Sequence, residues 1–158
     1  MDGQLSGAAV PPSVPPVPPV SGPTPMLDVV RRFLAGHDIA AERVEGETIL
    51  RMEGTGANGE WTLWIQTRED EGLCLVWSSW PQAVPEDRRV AVMELVTRIN
   101  PDLAVGAFEL DLDRGQLSLR TSIDVTGDRL TEALVARLVG ANVETFDDHL
   151  PALLDAIG

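Results

Sequence analysis

The sequence predicts an α+β domain: a single antiparallel five-stranded sheet with helices on one face, in the order α-β-β-β-α-β-β-α. Three observations carry this. Short runs such as Trp61–Arg68 and Leu73–Ser79 are rich in strand formers and lie between turn residues. Longer stretches, such as Leu27–Leu34 and Leu130–Ile157, repeat apolar residues at helical spacing. The chain has 158 residues, 44% hydrophobic and 23% charged, which is the length and balance of one globular domain.

Eight of the twelve prolines fall between Pro11 and Pro25. Proline fixes φ and removes a backbone donor, so this stretch favours extended polyproline II and cannot join a sheet. Residues 1–24 therefore read as a disordered proline-rich tail acting as a spacer, and residues 25–158 as the domain. A role for the tail as a ligand of an SH3-like groove is the alternative.

The domain opens on helix signals. Thr24 suits the N-cap, Pro25 the first helical position and Asp28 the first turn, with Gly36 at the end. A strand is expected around Glu47–Glu53, a turn over Gly54–Gly59, and then strands Trp61–Arg68 and Leu73–Ser79 around the Glu69–Gly72 loop. A helix from Pro85 to Ile99 follows, stopped by Pro101. Next comes a hairpin, Ala107–Asp113 and Gln116–Ile123, around Arg114–Gly115. The last segment, Leu130–Ile157, keeps helical period, with a break or kink expected at Gly140 and Pro151.

Turn positions fix strand register, and register fixes which side chains share a face. Across Arg114–Gly115, Leu112 should face Leu117, Leu110 face Leu119, and Glu109 sit opposite Arg120. Across the Glu69–Gly72 loop, Trp64 should face Trp77. Trp61, Leu63, Ile65, Cys74 and Val76 then share the core face, while Trp64, Leu75 and Trp77 share the other with Thr62, Gln66, Arg68 and Ser79. A partly exposed Trp64–Leu75–Trp77 patch, bordered by Gln66 and Arg68, is the candidate partner contact, because aromatic residues anchor interfaces. The alternative is that a helix or terminal segment of the same chain covers it.

No catalytic or cofactor constellation emerges. His37 and His149 lack companions at ligand spacing, and Asp147–Asp148–His149 reads as a solvated helix face rather than a metal site. Asp111-x-Asp113-x-Gly115 departs from the calcium-loop pattern. Cys74 falls mid-strand on the core face, where an inert thiol is expected. Phosphate-loop and nucleophile-elbow motifs are missing. The expectation is a non-enzyme with no cofactor and no metal.

The net charge of −13 disfavours nucleic acid and anionic membranes as partners. All twelve cations are arginine, which reads as composition bias. No apolar run reaches the length of a membrane span, and the proline-interrupted N-terminus is unlike a secretory signal. With Cys74 alone, no intrachain disulfide forms, which fits a cytoplasmic protein.

Asn100-Pro101-Asp102-Leu103, Gly106-Ala107-Phe108-Glu109-Leu110-Asp111 and Gly115-Gln116-Leu117-Ser118-Leu119-Arg120 resemble the YbjN family of bacterial proteins. Asp148-His149-Leu150-Pro151-Ala152-Leu153 is similar to its C-terminal helix. The resemblance covers about residues 26–158 and leaves out the tail. It implies the fold of type III secretion chaperones, small acidic proteins that are often dimers and bind extended segments of other proteins. Some members are described as sensory-transduction regulators. The expected function is a non-enzymatic protein- or peptide-binding module, chaperone-like or regulatory, with a homodimer contact along Pro85–Ile99. The competing expectation is a small-molecule-sensing domain with an enclosed, tryptophan-lined pocket.

Overall fold

Helix α1, Pro25–Gly36, starts and ends where its signals place it and buries Met26, Leu27, Val30, Phe33 and Leu34. Its N-terminus is finished differently from the expectation. Thr24 makes no side-chain cap. The Glu69 carboxylate instead accepts from the backbone N–H of Met26 (3.1 Å) and Leu27 (3.0 Å). A carboxylate there satisfies orphan donors and complements the positive end of the helix dipole. The computed structural model describes residues 22–158. Residues 1–21, most of the expected tail, lie outside the described residues.

The sheet has six strands rather than five: β1 Glu42–Arg43, β2 Ile49–Thr55, β3 Glu60–Arg68, β4 Leu73–Ser79, β5 Ala107–Leu110 and β6 Leu117–Asp124. They lie in the order β1-β2-β3-β4-β6-β5, and every neighbouring pair is antiparallel. The added strand, β1, is a two-residue edge strand, exposed on both faces, so it carries no alternation for a sequence pattern to reveal.

The β3–β4 hairpin has the expected register, with Trp64 opposite Trp77 and Ile65 opposite Val76. Its loop is a 3₁₀ turn, Glu69–Glu71, closed by Gly72 at φ +65°. That left-handed conformation suits glycine. The β5–β6 hairpin differs from its expected register by two residues. Phe108 faces Leu119, Leu110 faces Leu117, and Glu109 faces Ser118 rather than Arg120. Asp111 is the reason. Its Oδ1 accepts from the N–H groups of Asp113 and Arg114, and its backbone N–H and carbonyl bond Gln116 and Gly115, giving a wider turn than Arg114–Gly115 alone. A shift of two preserves the faces. Phe108, Leu117 and Leu119 are core, whereas Leu112 is left exposed. The Glu109–Arg120 ion pair still forms at 2.8 Å, across a diagonal.

The Pro85–Ile99 segment divides into a 3₁₀ turn, Glu86–Arg88, and helix α2, Arg89–Ile99. After α2, the Asn100 side chain both donates to and accepts from the Phe108 backbone (3.0 and 2.7 Å), occupying part of the free edge of β5. Helix α3 runs unbroken over Glu132–Ile157, with Pro151 inside it. The expected break is absent for a local reason. Pro151 cannot bond the carbonyl four residues back, that of Asp147. Asn58 Nδ2 donates to that carbonyl at 3.1 Å, and the Asp147 carboxylate accepts from the N–H of Ala57 and Asn58. The β2–β3 turn thus repairs the helix.

All three helices pack on one face of the sheet. α1 and the first half of α3 cover Leu50, Met52, Leu63, Ile65, Cys74 and Val76. α2 and the second half of α3 cover Trp61, Phe108, Leu117 and Leu119. Asn142, buried in α3, donates toward Val76 O, Leu119 O and Thr121 Oγ1, so it joins the helix to β4 and β6. Among the described residues, no helix is long and apolar enough to cross a membrane.

Candidate functional site

The second face of the sheet can be read rung by rung from the register. One rung carries Ile49, Gln66 and Leu75. The next carries Arg51, Trp64, Trp77 and Arg120. The third carries Glu53, Thr62, Ser79, Ser118 and Glu109. Alternation along each strand puts these side chains on the face opposite the helices.

The structure brings Trp64, Leu75 and Trp77 into one apolar cluster with Ile49, and Val44 and Leu73 pack at its border. Gln66 lies beside it. Arg68 is at its margin, with Nε 3.4 Å from Gln66 Oε1 and Nη1 3.5 Å from Glu71. The Arg51 guanidinium stands 5.9 Å from the centre of the Trp64 ring, a cation–π distance.

One expectation is corrected: the patch is not partly exposed. Trp64 is 2% exposed, Trp77 1% and Gln66 1%. Ile49 and Ser118 are fully buried. The buried strip runs diagonally, from Ile49 on β2 to Ser118 on β6, and Arg51, Arg120 and Ser122 outside it stay exposed. Yet no helical residue belongs to the cluster. Indole rings on an open sheet face keep one side in water, so burial this complete requires atoms above the strip. Among the described residues, no helix supplies them.

The polar atoms of the strip carry a second signal that side-chain patterning does not show. Among the described residues, six buried side-chain polar atoms have no hydrogen-bond partner, and five of them are on this face. They are Trp77 Nε1, Gln66 Nε2, Ser79 Oγ, Ser118 Oγ and Glu109 Oε2. A buried donor without a partner is destabilising by about 1–3 kcal/mol. Four of the five belong to groups that can donate, Trp77 Nε1, Gln66 Nε2 and the two serine hydroxyls, whereas Glu109 Oε2 accepts. Trp61, on the helix face, differs: its Nε1 donates to Ser78 Oγ at 2.8 Å.

Among the described residues, the histidines, the cysteine and the hydrogen-bonded aspartates are each engaged separately. His37 Nδ1 and His149 Nδ1 each pair with a carbonyl one turn back in their own helices. Cys74 is buried, and its thiol is pushed up to about 12 by desolvation and then by the nearby Glu69 charge. Asp111 is held below the usual carboxylate range by the Arg114 backbone N–H first, then by the Asp113 N–H and the Arg114 side chain. Those bonds shape a turn. Asp147 clamps another turn rather than a metal, and among the described residues no cluster of His, Cys, Asp or Glu is arranged to hold one. The position of Pro151 four residues after Asp147 was the available sign that this carbonyl needs a partner.

A groove of about 810 Å³ lies at the N-terminus of α1, between the β3–β4 turn and the β6–α3 loop. Asp28, Arg32, Glu69, Asp128, Arg129 and Glu132 are among its walls, and no tryptophan lines it.

Solved structures share this fold. The crystal structure of YbjN from E. coli matches with a TM-score of 0.62 at 15% identity, over 77% of this chain and 86% of that one. The ExsC–ExsE complex matches with a TM-score of 0.61 at 11% identity, over 80% of this chain and 92% of that one. The HopA1–SchA chaperone–effector complex matches with a TM-score of 0.50 at 12% identity, over 75% and 87%. At these identities the likeness is one of fold. Among curated proteins, none matches the sequence. The family model YbjN, described as "Putative bacterial sensory transduction regulator", matches residues 26–155, nearly all of the described chain. Sheet, helices and sequence agree, and the chain belongs to the YbjN family.

Proposed function

We propose that this protein is a non-enzymatic binding module that captures an extended segment of a partner protein on the second face of its sheet. The contact is made by Trp64, Leu75 and Trp77, with Gln66 and Arg68 at the border. One observation carries the reading: unpartnered donors are concentrated around a tryptophan pair on the one face that no described helix covers. An extended segment presents carbonyls at regular intervals and side chains on alternate sides, so it matches donors and apolar pockets laid along a strip. Two similar structures are complexes of a chain of this fold with another protein, which supports a protein partner. The net charge of −13 favours a segment with basic character.

A small-molecule sensor would need an enclosed, tryptophan-lined pocket. The groove beside α1 is charged and has no tryptophan in its walls, so it does not favour that reading.

The test is affinity capture from the native host with the whole chain, Leu75→Glu and Val105→Glu, each verified as folded by circular dichroism. Val105 is 49% exposed in the loop before β5, outside the strip and outside the Pro85–Ile99 segment, and serves as the control. A stoichiometric partner retained by Val105→Glu and lost by Leu75→Glu is expected. Retention by Leu75→Glu contradicts the reading.

A further inference from the structure

The chain has three asparagines, Asn58, Asn100 and Asn142. An asparagine side chain is open to attack by the backbone nitrogen of the residue after it, so that residue decides which asparagine reacts. Pro101 follows Asn100 and has no N–H. Val143 follows Asn142 inside α3, and Asn142 is fully buried there. Gly59 follows Asn58 in the β2–β3 turn, where Asn58 is exposed. Glycine has no side chain to hinder the approach, and among the described residues the Gly59 N–H has no hydrogen-bond partner.

We infer that Asn58–Gly59 is a self-modification site at which Asn58 deamidates, and that the product unfastens the β2–β3 turn from α3. The step needs only water. The Gly59 nitrogen gives up its proton and bonds to Asn58 Cγ. The Cγ–Nδ2 bond breaks, and Nδ2 leaves with that proton as ammonia. The resulting succinimide takes up one water at either carbonyl, which leaves aspartate or isoaspartate at position 58. Nothing is oxidised or reduced.

The fold holds this reaction back. Asn58 Nδ2 donates to the Asp147 carbonyl at 3.1 Å, and the Asn58 N–H donates to Asp147 Oδ1 at 2.8 Å. Side chain and backbone of residue 58 are thus both tied to α3, which restrains the rotation that ring closure needs. The Asp147 carboxylate also accepts from the Ala57 N–H at 2.9 Å. Its negative charge lies beside a nitrogen that has to lose a proton, and a like charge disfavours that loss. Ring closure therefore proceeds from a turn opened locally from α3.

The product keeps it open. A carboxylate oxygen in place of Nδ2 has no proton to donate to the Asp147 carbonyl, which Pro151 has already deprived of its helical donor. Two carboxylates then share one turn, and their charges repel. Isoaspartate also lengthens the backbone of a turn that has no slack. A Cβ at Gly59 would lie 2.9 Å from Leu150 Cδ2, and one at Gly56 would collide with the Asp147 carboxylate. Loss of the clamp frees the last turns of α3.

The test incubates the full-length chain, Asp147→Ala and Asn58→Gln at neutral and mildly alkaline pH, with a synthetic peptide of residues 54–63 as the unrestrained reference. Peptide mass mapping and isoaspartate-specific methylation read the products. Acid should replace amide at position 58 and at neither 100 nor 142, faster at the higher pH and more slowly than in the peptide. Asp147→Ala, verified as folded by circular dichroism, should react faster by on the order of tenfold, through the loss of two hydrogen bonds that hold the turn shut. Asn58→Gln should accumulate no isoaspartate. A separate Asn58→Asp variant tests the consequence without Asp147→Ala: amide exchange in α3 beyond Pro151 should be faster than in the parent chain. An intact amide at position 58 when the peptide is fully converted overturns the inference. Equal rates with and without the Asp147 carboxylate overturn it as well, as does unchanged exchange in Asn58→Asp.

Discussion

The two faces of this sheet carry the same kinds of residues arranged to different ends. On the helix face, Trp61 Nε1 is bonded to Ser78 Oγ, Thr121 Oγ1 to Leu138 O, and Asn142 Nδ2 reaches three acceptors. On the other face, one residue along from Ser78, Ser79 Oγ is buried and unpartnered, as is Trp77 Nε1. Among the described residues, one buried side-chain polar atom on the helix face, Asn142 Oδ1, lacks a partner, against five on the other face. In the proposed function, this difference separates stability from recognition within a single sheet. Burial alone does not distinguish the faces, because both pairs of tryptophan and serine are nearly inaccessible. Hydrogen-bond accounting does.

Substitutions can break or sharpen this contrast. The largest loss is expected on the helix face. Phe146 is fully buried and packs against Trp61 and Phe108, with ring centres 5.0 and 6.1 Å away. Phe146→Ala should lower unfolding stability in urea by about 3–5 kcal/mol, and a loss below 1 kcal/mol would remove the helix face from its place as the stabilising core. Next, Trp61→Phe and Trp77→Phe remove similar ring area. Only the first breaks a bond within the described fold, stranding Ser78 Oγ. Trp61→Phe should therefore be the more destabilising of the two by about 1–2 kcal/mol, measured by denaturant titration. Equal losses would erase the distinction drawn above.

A smaller effect is expected where α3 is tied to the β2–β3 turn. Asp147→Ala removes the acceptor for two exposed N–H groups and should cost about 1 kcal/mol. It should also speed amide exchange in the last turns of α3, beyond Pro151. The smallest effect is at the rim of the second face. Glu109→Gln weakens a partly exposed ion pair with Arg120 and should change stability by about 0–1 kcal/mol, less still at high salt.

Much of this architecture is legible in the sequence because local chemistry decides it. Pro25 and Asp28 mark α1, and the loop ending in Gly72 places Trp64 opposite Trp77. What escapes depends on distant partners or on single side chains. The Asp111 carboxylate widens a turn that Arg114–Gly115 suggests is tight, moving the register by two. Asn58, far away in sequence, lets α3 pass through Pro151. Glu69 replaces Thr24 as the cap of α1. β1 is too short and too exposed to leave a pattern. The site follows the same rule. Pairing of Trp64 with Trp77 and their separation from the Trp61 face follow from register, whereas burial of the strip and its unpartnered donors depend on what lies above the sheet.

The central claim is that the helix face is a permanent core and the Trp64–Trp77 face an exchangeable one. Hydrogen exchange of the Trp61 and Trp77 indole N–H groups in the full-length chain, followed by NMR across a range of low denaturant concentrations, tests it most directly. The Trp61 indole should exchange only through global unfolding, with the full denaturant dependence. The Trp77 indole should exchange faster and with little denaturant dependence, through local opening. Equal rates with equal denaturant dependence would make the second face part of the same core and contradict the account.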